Sequence, residues 1–220
     1  MKNKQIAKQM MVWFVGLIVI QVGVALFLSL NLGSDPFTSF TQGVARALTV
    51  SPGTANRLLT LIFLGALFLL DRKQIKIGTF LCIIGAGIVL DGVLKLLNPL
   101  ALSSYSLSIK IIIFMMACVI VSIGFPILKS SEIGVAPNDL IYLALVKRLK
   151  KSYTIIRMSV DIIYMVLGMS LGGVIGIGTV LCIAFLGPLM DFFFPKIDRL
   201  VSGFLKEQGG AGGQSQSGQM

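Results

Sequence analysis

The sequence predicts an all-α polytopic membrane protein made of two homologous halves of about 100 residues. Three observations predict it. First, 55% of the 220 residues are hydrophobic and 13% charged, against about 45–50% and about 25% in soluble domains. Mean hydropathy is +0.92, and one soluble core cannot hide that much apolar surface, so lipid is the natural solvent. Second, the apolar residues gather into long runs bounded by Lys and Arg, as the positive-inside rule produces. Third, the chain repeats itself. Ile77-Gly78-Thr79-Phe80-Leu81-Cys82 returns as Ile177-Gly178-Thr179-Val180-Leu181-Cys182, an offset of 100 that also relates Thr54 to Thr154, Arg57 to Arg157 and Asp91 to Asp191. Upstream the offset is 101: Gly23 matches Gly124, and Gly33-Ser34-Asp35-Pro36 matches Gly134-Val135-Ala136-Pro137.

Each element follows in order. Residues 1–9 carry Lys2, Lys4 and Lys8 and form a basic, cytoplasmic N-terminus. Met10–Leu30 is long enough to cross about 30 Å of hydrocarbon. It is longer than the roughly 7–15-residue core of a signal peptide, and more spans follow, so it is a retained span. Pro36–Val50 is a short segment, followed by apolar runs at Leu58–Leu70 and Ile75–Leu97; these complete a first membrane repeat over residues 10–100. Residues 101–200 repeat the order with Ile109–Leu128, the short Pro137–Lys147, Thr154–Leu171 and Val174–Phe194. Residues 201–220 form a flexible cytoplasmic tail, because from Gly209 they read GGAGGQSQSGQM and bury too little surface to order themselves. The two halves are expected to superpose.

Composition excludes several functions. A formal charge of +10 would suggest nucleic acid in a soluble chain. Here the basic residues sit between spans and set orientation instead, so no nucleic-acid partner is expected. With no His, His-ligated metals and Ser–His or Cys–His nucleophiles are absent. Cys82, Cys118 and Cys182 lie in apolar runs with no C-x-x-C pair, so neither a zinc site nor a disulfide framework is indicated. No metal, cofactor or enzymatic activity is expected. Four Tyr and one Trp13 are too few to suggest an aromatic cage.

The duplicated pattern of G-x-x-P, short helix, span, and I-G-T leading into a span with a late Asp resembles the YczE/YyaS/YitT family of bacterial membrane proteins. The likeness covers residues about 10–200 in both halves. The resemblance implies a multi-pass protein of the bacterial inner membrane, a transporter in one reading, and names no substrate. One departure stands out: Asp35 precedes Pro36, whereas Asp139 follows Pro137.

Two topologies share the same charge score. If all eight segments cross, four per half and parallel, 15 Lys and Arg lie inside and 4 outside. If the two short segments dip in and return, six long spans remain, the halves are inverted, and the score is again 15 to 4. Length favours the second, since Pro36–Val50 makes only about 22 Å of helix. Its Phe37, Phe40, Val44 and Leu48 form an apolar stripe, with Thr38, Thr41, Gln42 and Arg46 off it. Inverted repeats with broken helices meeting near the midplane are a recurrent transporter plan.

Candidate residues follow from chemistry. Pro at N1 preorganises a helix start, and free N–H groups with the positive dipole end make an anion site. The two breaks either face a substrate or are ordinary turns at the interface. Asp35, Thr38, Thr41, Gln42, Asn138 and Asp139 are the pathway candidates there, and the two segments are expected to approach around a cavity. Arg57 with Asp91, and Arg157 with Asp191, are candidate ion pairs closing opposite ends of a pathway; alternatively each Arg snorkels and each Asp sits among head groups. Asp161 lies inside a span where the first half has Leu61. It is either a proton or cation coupling site or one member of a local i,i+4 pair with Arg157. Together these residues suggest secondary transport or permeation of a small solute. The alternatives are a substrate-binding subunit of a larger complex, or an interaction protein that transports nothing. Partners would be the bilayer, a small solute and either a second copy or an energising subunit, since no G-x-x-x-x-G-K-[ST] is present.

Overall fold

A computed structural model describes residues 2–50, 52–71 and 75–206. Among the described residues, eight α-helices and two short 3-10 turns make up the regular structure: α1 (Lys2–Leu30), α2 (Pro36–Ala47), α3 (Pro52–Asp71), α4 (Ile77–Leu97), α5 (Leu107–Ser130), α6 (Pro137–Leu149), α7 (Tyr153–Ser170) and α8 (Ile177–Lys206). Five are long and apolar enough to cross a membrane: Gln5–Leu30, Ile77–Leu100, Leu107–Ser130, Tyr153–Ser170 and Ile177–Leu205. In α3 the apolar stretch is the shorter Thr54–Leu69, although the helix itself reaches about 30 Å. At 12 and 13 residues, α2 and α6 reach only about 18–20 Å. Both begin at the predicted proline, which fixes a helical φ and has no N–H to leave unsatisfied. Residues 201–206 continue α8 rather than starting a flexible tail. The Gly-rich stretch from Gly209 lies outside the described residues.

Glycines bring the central helices together. α5 runs antiparallel to α1, with Gly16 against Leu128, Gly23 against Val121 and Ala117, and Gly124 against Ile20. A Cβ at Gly16 would lie 2.7 Å from the Leu128 Cα, so only glycine allows this approach. Phe27 and Phe114 close the other end with ring centroids 4.4 Å apart. α4 lies along α1 and α8 along α5, while α2 packs on α7 and α3 on α6.

The helix breaks lock across the molecule. Gly33 (φ +109°) and Gly134 (φ +138°) adopt conformations that L side chains rarely take. Gly33 abuts Gly176 and Thr179, and Gly134 abuts Gly78 and Thr79. Gly178 N–H donates to the Leu32 carbonyl at 2.9 Å, and Gly78 N–H to the Ile133 carbonyl at 3.0 Å. Each break therefore satisfies orphan groups at a helix start far away in the chain. Left-handed backbone also recurs 101 residues apart at Asn31 and Glu132, and at Thr49 and Lys150.

α2 returns to the face that α1 reached. Phe37 and Phe40 lie on Tyr164, Gly43 meets Gly168, and Arg46 donates to the Gly172 carbonyl. α2 thus runs parallel to α7 and ends where α7 ends, beside the start of α8. Burial differs between the two I-G-T helices: 6% of the apolar window of α4 is buried, against 39% of that of α8.

Candidate functional site

α7 places Tyr153, Arg157, Asp161 and Tyr164 at spacings of 4, 4 and 3, which puts them on one helical face. Arg157 and Asp161 are 8% and 1% exposed. Arg157 Nε lies 3.4 Å from Asp161 Oδ2. Its Nη1 donates to Tyr153 Oη at 2.8 Å and to the Met190 sulfur at 3.4 Å. Tyr142 of α6 donates its hydroxyl to Asp161 Oδ1 at 2.6 Å. The guanidinium stands 4.8 Å from the Tyr142 ring centre and 6.0 Å from that of Tyr153. A charge removed from water is costly unless paired and hydrogen-bonded. Here a carboxylate, a hydroxyl and two aromatic faces share that task. Tyr164 stacks on Phe40 at 5.6 Å and leans on Phe37 and Phe63, joining α2, α3 and α7.

Around this cluster come the mouths of α2 and α6. Asp35 is the N-cap of α2: its carboxylate accepts from Thr38 N–H at 3.1 Å and from Thr38 Oγ1 at 2.7 Å. That satisfies a helix-start donor with a charged acceptor. α6 has Ala136 at the same place and no side-chain cap. Asp139, half-buried in its first turn, makes no hydrogen bond or ion pair among the described residues. The charges of Arg157, Asp35 and Asp161 all act on it, and that of Arg157 acts on Asp35. Three acids and one guanidinium thus share one electrostatic neighbourhood at two helix N-termini, whose positive ends offset part of the negative charge. An unpartnered acid in that setting can take up a proton or a cation, or accept from a polar solute.

The other candidates fall elsewhere. Thr41 is buried and donates to its own helix at the Phe37 carbonyl, 2.9 Å away. Gln42 borders a separate cavity of about 540 Å3 with Arg46, Thr49, Val50 and Val174. Asn138 is half-buried in the first turn of α6. α2 buries Pro36, Ser39 and Gly43 on one side and Thr41 and Ala45 on the other, while Phe37 and Phe40 of the stripe are half-buried against Tyr164 and Gly43 meets Gly168 of α7. Arg157 pairs locally with Asp161 rather than with Asp191. Asp191 instead accepts from Thr154 N–H at 3.1 Å and from the Thr154 hydroxyl. Arg57 and Asp91 are both exposed, and no ion pair joins them. Sequence reasoning missed the tyrosines: Tyr142, Tyr153 and Tyr164 converge on the Arg157–Asp161 pair. The 4-4-3 spacing along α7 was the available signal. Trp13 holds the second break instead, donating to the Gly134 carbonyl at 2.8 Å.

A family model described as a family of unknown function (DUF6198) matches residues 7–195. An uncharacterized protein of Haemophilus influenzae is 28% identical over 186 residues, spanning 83% of this chain and 81% of its own. From Bacillus subtilis, the uncharacterized protein YyaS is 28% identical over 191 residues, spanning 86% of this chain and 94% of its own. The uncharacterized membrane protein YczE of the same organism is 25% identical over 191 residues, spanning 86% and 87%. No solved structure matches.

Proposed function

The chain belongs to the DUF6198 family, and we propose that it is a secondary transporter or permease for a small solute, built of two inverted halves around the Arg157–Asp161 site. It sits in a bacterial cytoplasmic membrane with six spans, α1, α3, α4, α5, α7 and α8, and both termini inside. The observation that carries the reading is the antiparallel contact of α1 with α5. These two helices hold the same place in the two halves, and opposite directions require an odd number of crossings in the first half. With α2 turning back to the face where it began, α1, α3 and α4 supply three. The cross-locked breaks at Gly33 and Gly134 support the same two-fold relation. Short helices that end inside protein at a charged cluster are the form in which irregular backbone is tolerated at membrane depth, and paired half-helices recur at transporter sites.

In this reading α2 and α6 bring Asp35 and Asp139 to the solute, and Arg157 with Asp161 forms the wall behind them. An intramembrane acid is a proton- or cation-handling group by default, and Asp139 fills that role. The reaction is movement of a solute without bond-making chemistry.

Liposomes holding this chain alone test the reading. First, solutes are screened by thermal stabilisation, since a ligand at about 100 times its Kd adds about 2.7 kcal/mol to apparent stability. The stabilising solute then accumulates or equilibrates in wild-type vesicles, and flux is lost in Asp139→Asn. Binding without flux in vesicles would sink the transporter reading. Co-purification with an ATPase would then make the chain a substrate-binding subunit.

A further inference from the structure

The two halves differ at one contact where their residues are the same. In the second half, α7 closes on α8. Asp191 takes the backbone N–H and hydroxyl of Thr154, and Gly187 lies under the Thr154 backbone, where an added Cβ would be 3.2 Å from the Thr154 Cα. The positions 100 residues earlier are Thr54, Gly87 and Asp91, identical in type. There a Cβ on Gly87 would meet nothing within 4 Å. Asp91 is exposed, makes no hydrogen bond or ion pair among the described residues, and is not joined to Thr54. α7 packs along α8, whereas α3 and α4 share at most marginal contact among the described residues.

Two features of the first half have no cause in this packing. A glycine inside a helix loses more conformational freedom than alanine, and where no atom approaches it nothing offsets that loss. Asp91 lies about 21 Å along α4 from Ile77, one turn from Ile88, which is 69% exposed. A carboxylate at such a place in an apolar span needs cover. The second half shows what the cover is: a threonine at the start of the preceding span.

We propose that Thr54, Gly87 and Asp91 form a gate that closes as Thr154, Gly187 and Asp191 do now, and that the structure is one of two states in which the gates alternate. The proposal rests on the inverted carrier reading above. With both termini inside, Thr154–Asp191 seals the cytoplasmic side and the open α3–α4 seam faces outward. In the second state α3 moves onto α4, the Thr54 donors reach Asp91 across the bare Gly87, and α7 parts from α8. The same residue types then make the same bonds on opposite faces, and the empty glycine and the uncovered acid are both accounted for.

Disulfide trapping in native membranes tests this, with Thr154→Cys/Gly187→Cys and Thr54→Cys/Gly87→Cys made separately in the full chain. Cys82, Cys118 and Cys182 are all buried, and the unsubstituted chain serves as background. The 154/187 pair is expected to cross-link in most chains. The 54/87 pair is expected in a minority that rises several-fold when Asp191→Asn weakens the opposite gate. If Thr54→Cys/Gly87→Cys does not fold, Thr54→Cys/Asp91→Cys takes its place. A 154/187 cross-link with none at 54/87, in either background, overturns the proposal. So does a 54/87 cross-link between two chains, which would make a second copy the cover of Asp91. Flux measured in vesicles separates the two ideas: alternating cross-links without flux leave the gates standing and remove the transporter. Flux without a 54/87 cross-link removes only the gate.

Discussion

α3 and α7 begin alike, with Thr54 and Thr154 followed three residues on by Arg57 and Arg157, yet they end in different surroundings. Arg157 is buried between two tyrosines with Asp161 one turn away. Arg57 is exposed, and one turn on stands Leu61, 62% exposed. Tyr142, which holds Asp161, likewise has Thr41 as its counterpart. Those differences are written in the sequence, and they make the second half the bearer of the polar site. The Thr–Gly–Asp contact is a different case, because there the residues agree and the surroundings do not. The divergent residues mark where the halves differ by sequence; the identical residues in unlike surroundings are what the proposed two arrangements of the backbone would explain.

The largest effect should come from splitting the buried pair. Arg157→Leu or Asp161→Leu alone is expected to cost about 3–5 kcal/mol, because each leaves an uncompensated buried charge. The double variant should cost less than either. Arg57→Leu should change stability by no more than about 0.5 kcal/mol. Thermal unfolding in detergent reads all four, and equal losses at Arg57 and Arg157 would erase the contrast between the halves. Next comes Tyr142→Phe, which removes the hydroxyl from Asp161 and should cost about 1.5–3 kcal/mol, the range for bonds to charged groups. Thr41→Val, at the counterpart position, gives up a bond within its own helix only, so its loss should be the smaller of the two.

Gly33→Ala and Gly134→Ala probe where the halves should agree. Each adds a Cβ 2.8 Å from a backbone nitrogen at positive φ, so each is expected to lose about 1–3 kcal/mol, and by similar amounts. A loss confined to one break would mean that the two do not share a structural role. The smallest contrast is Asp191→Asn, which weakens two charge-assisted bonds and should cost about 1 kcal/mol, against Asp91→Asn, which should cost nothing measurable in this state. A destabilised Asp91→Asn would mean that Asp91 is already held.

Much of the fold was legible in the residues. The offset of about 100 marked both breaks, Pro36 and Pro137 marked both short helices, and the apolar runs marked the long ones. The site was harder to see. Ion pairs were expected between Arg and the late Asp of the next span, because antiparallel spans bring such ends to one face. Asp161, the local i,i+4 alternative one turn along the same helix, holds Arg157 instead, and Asp191 accepts from Thr154. The stripe of Phe37 and Phe40 packs on Tyr164, and Gly43 meets Gly168, so α2 reaches α7 through both aromatic and small residues. Exposure at Arg57 and Asp91 fits the alternative in which the Arg snorkels and the Asp sits among head groups, but equal residues give no hint of why only the first half takes it.

The proposed inversion of the halves underlies both the proposed site and the proposed gates, and labelling with a membrane-impermeant maleimide tests it most directly. Lys76, before α4, and Lys95, near its end, are both exposed, and six spans put them on opposite faces. Lys95→Cys should react in intact cells, and Lys76→Cys only after the membrane is opened. Reaction of Lys76→Cys in intact cells, with Lys95→Cys protected, would mean eight crossings and parallel halves, and would contradict the inverted carrier.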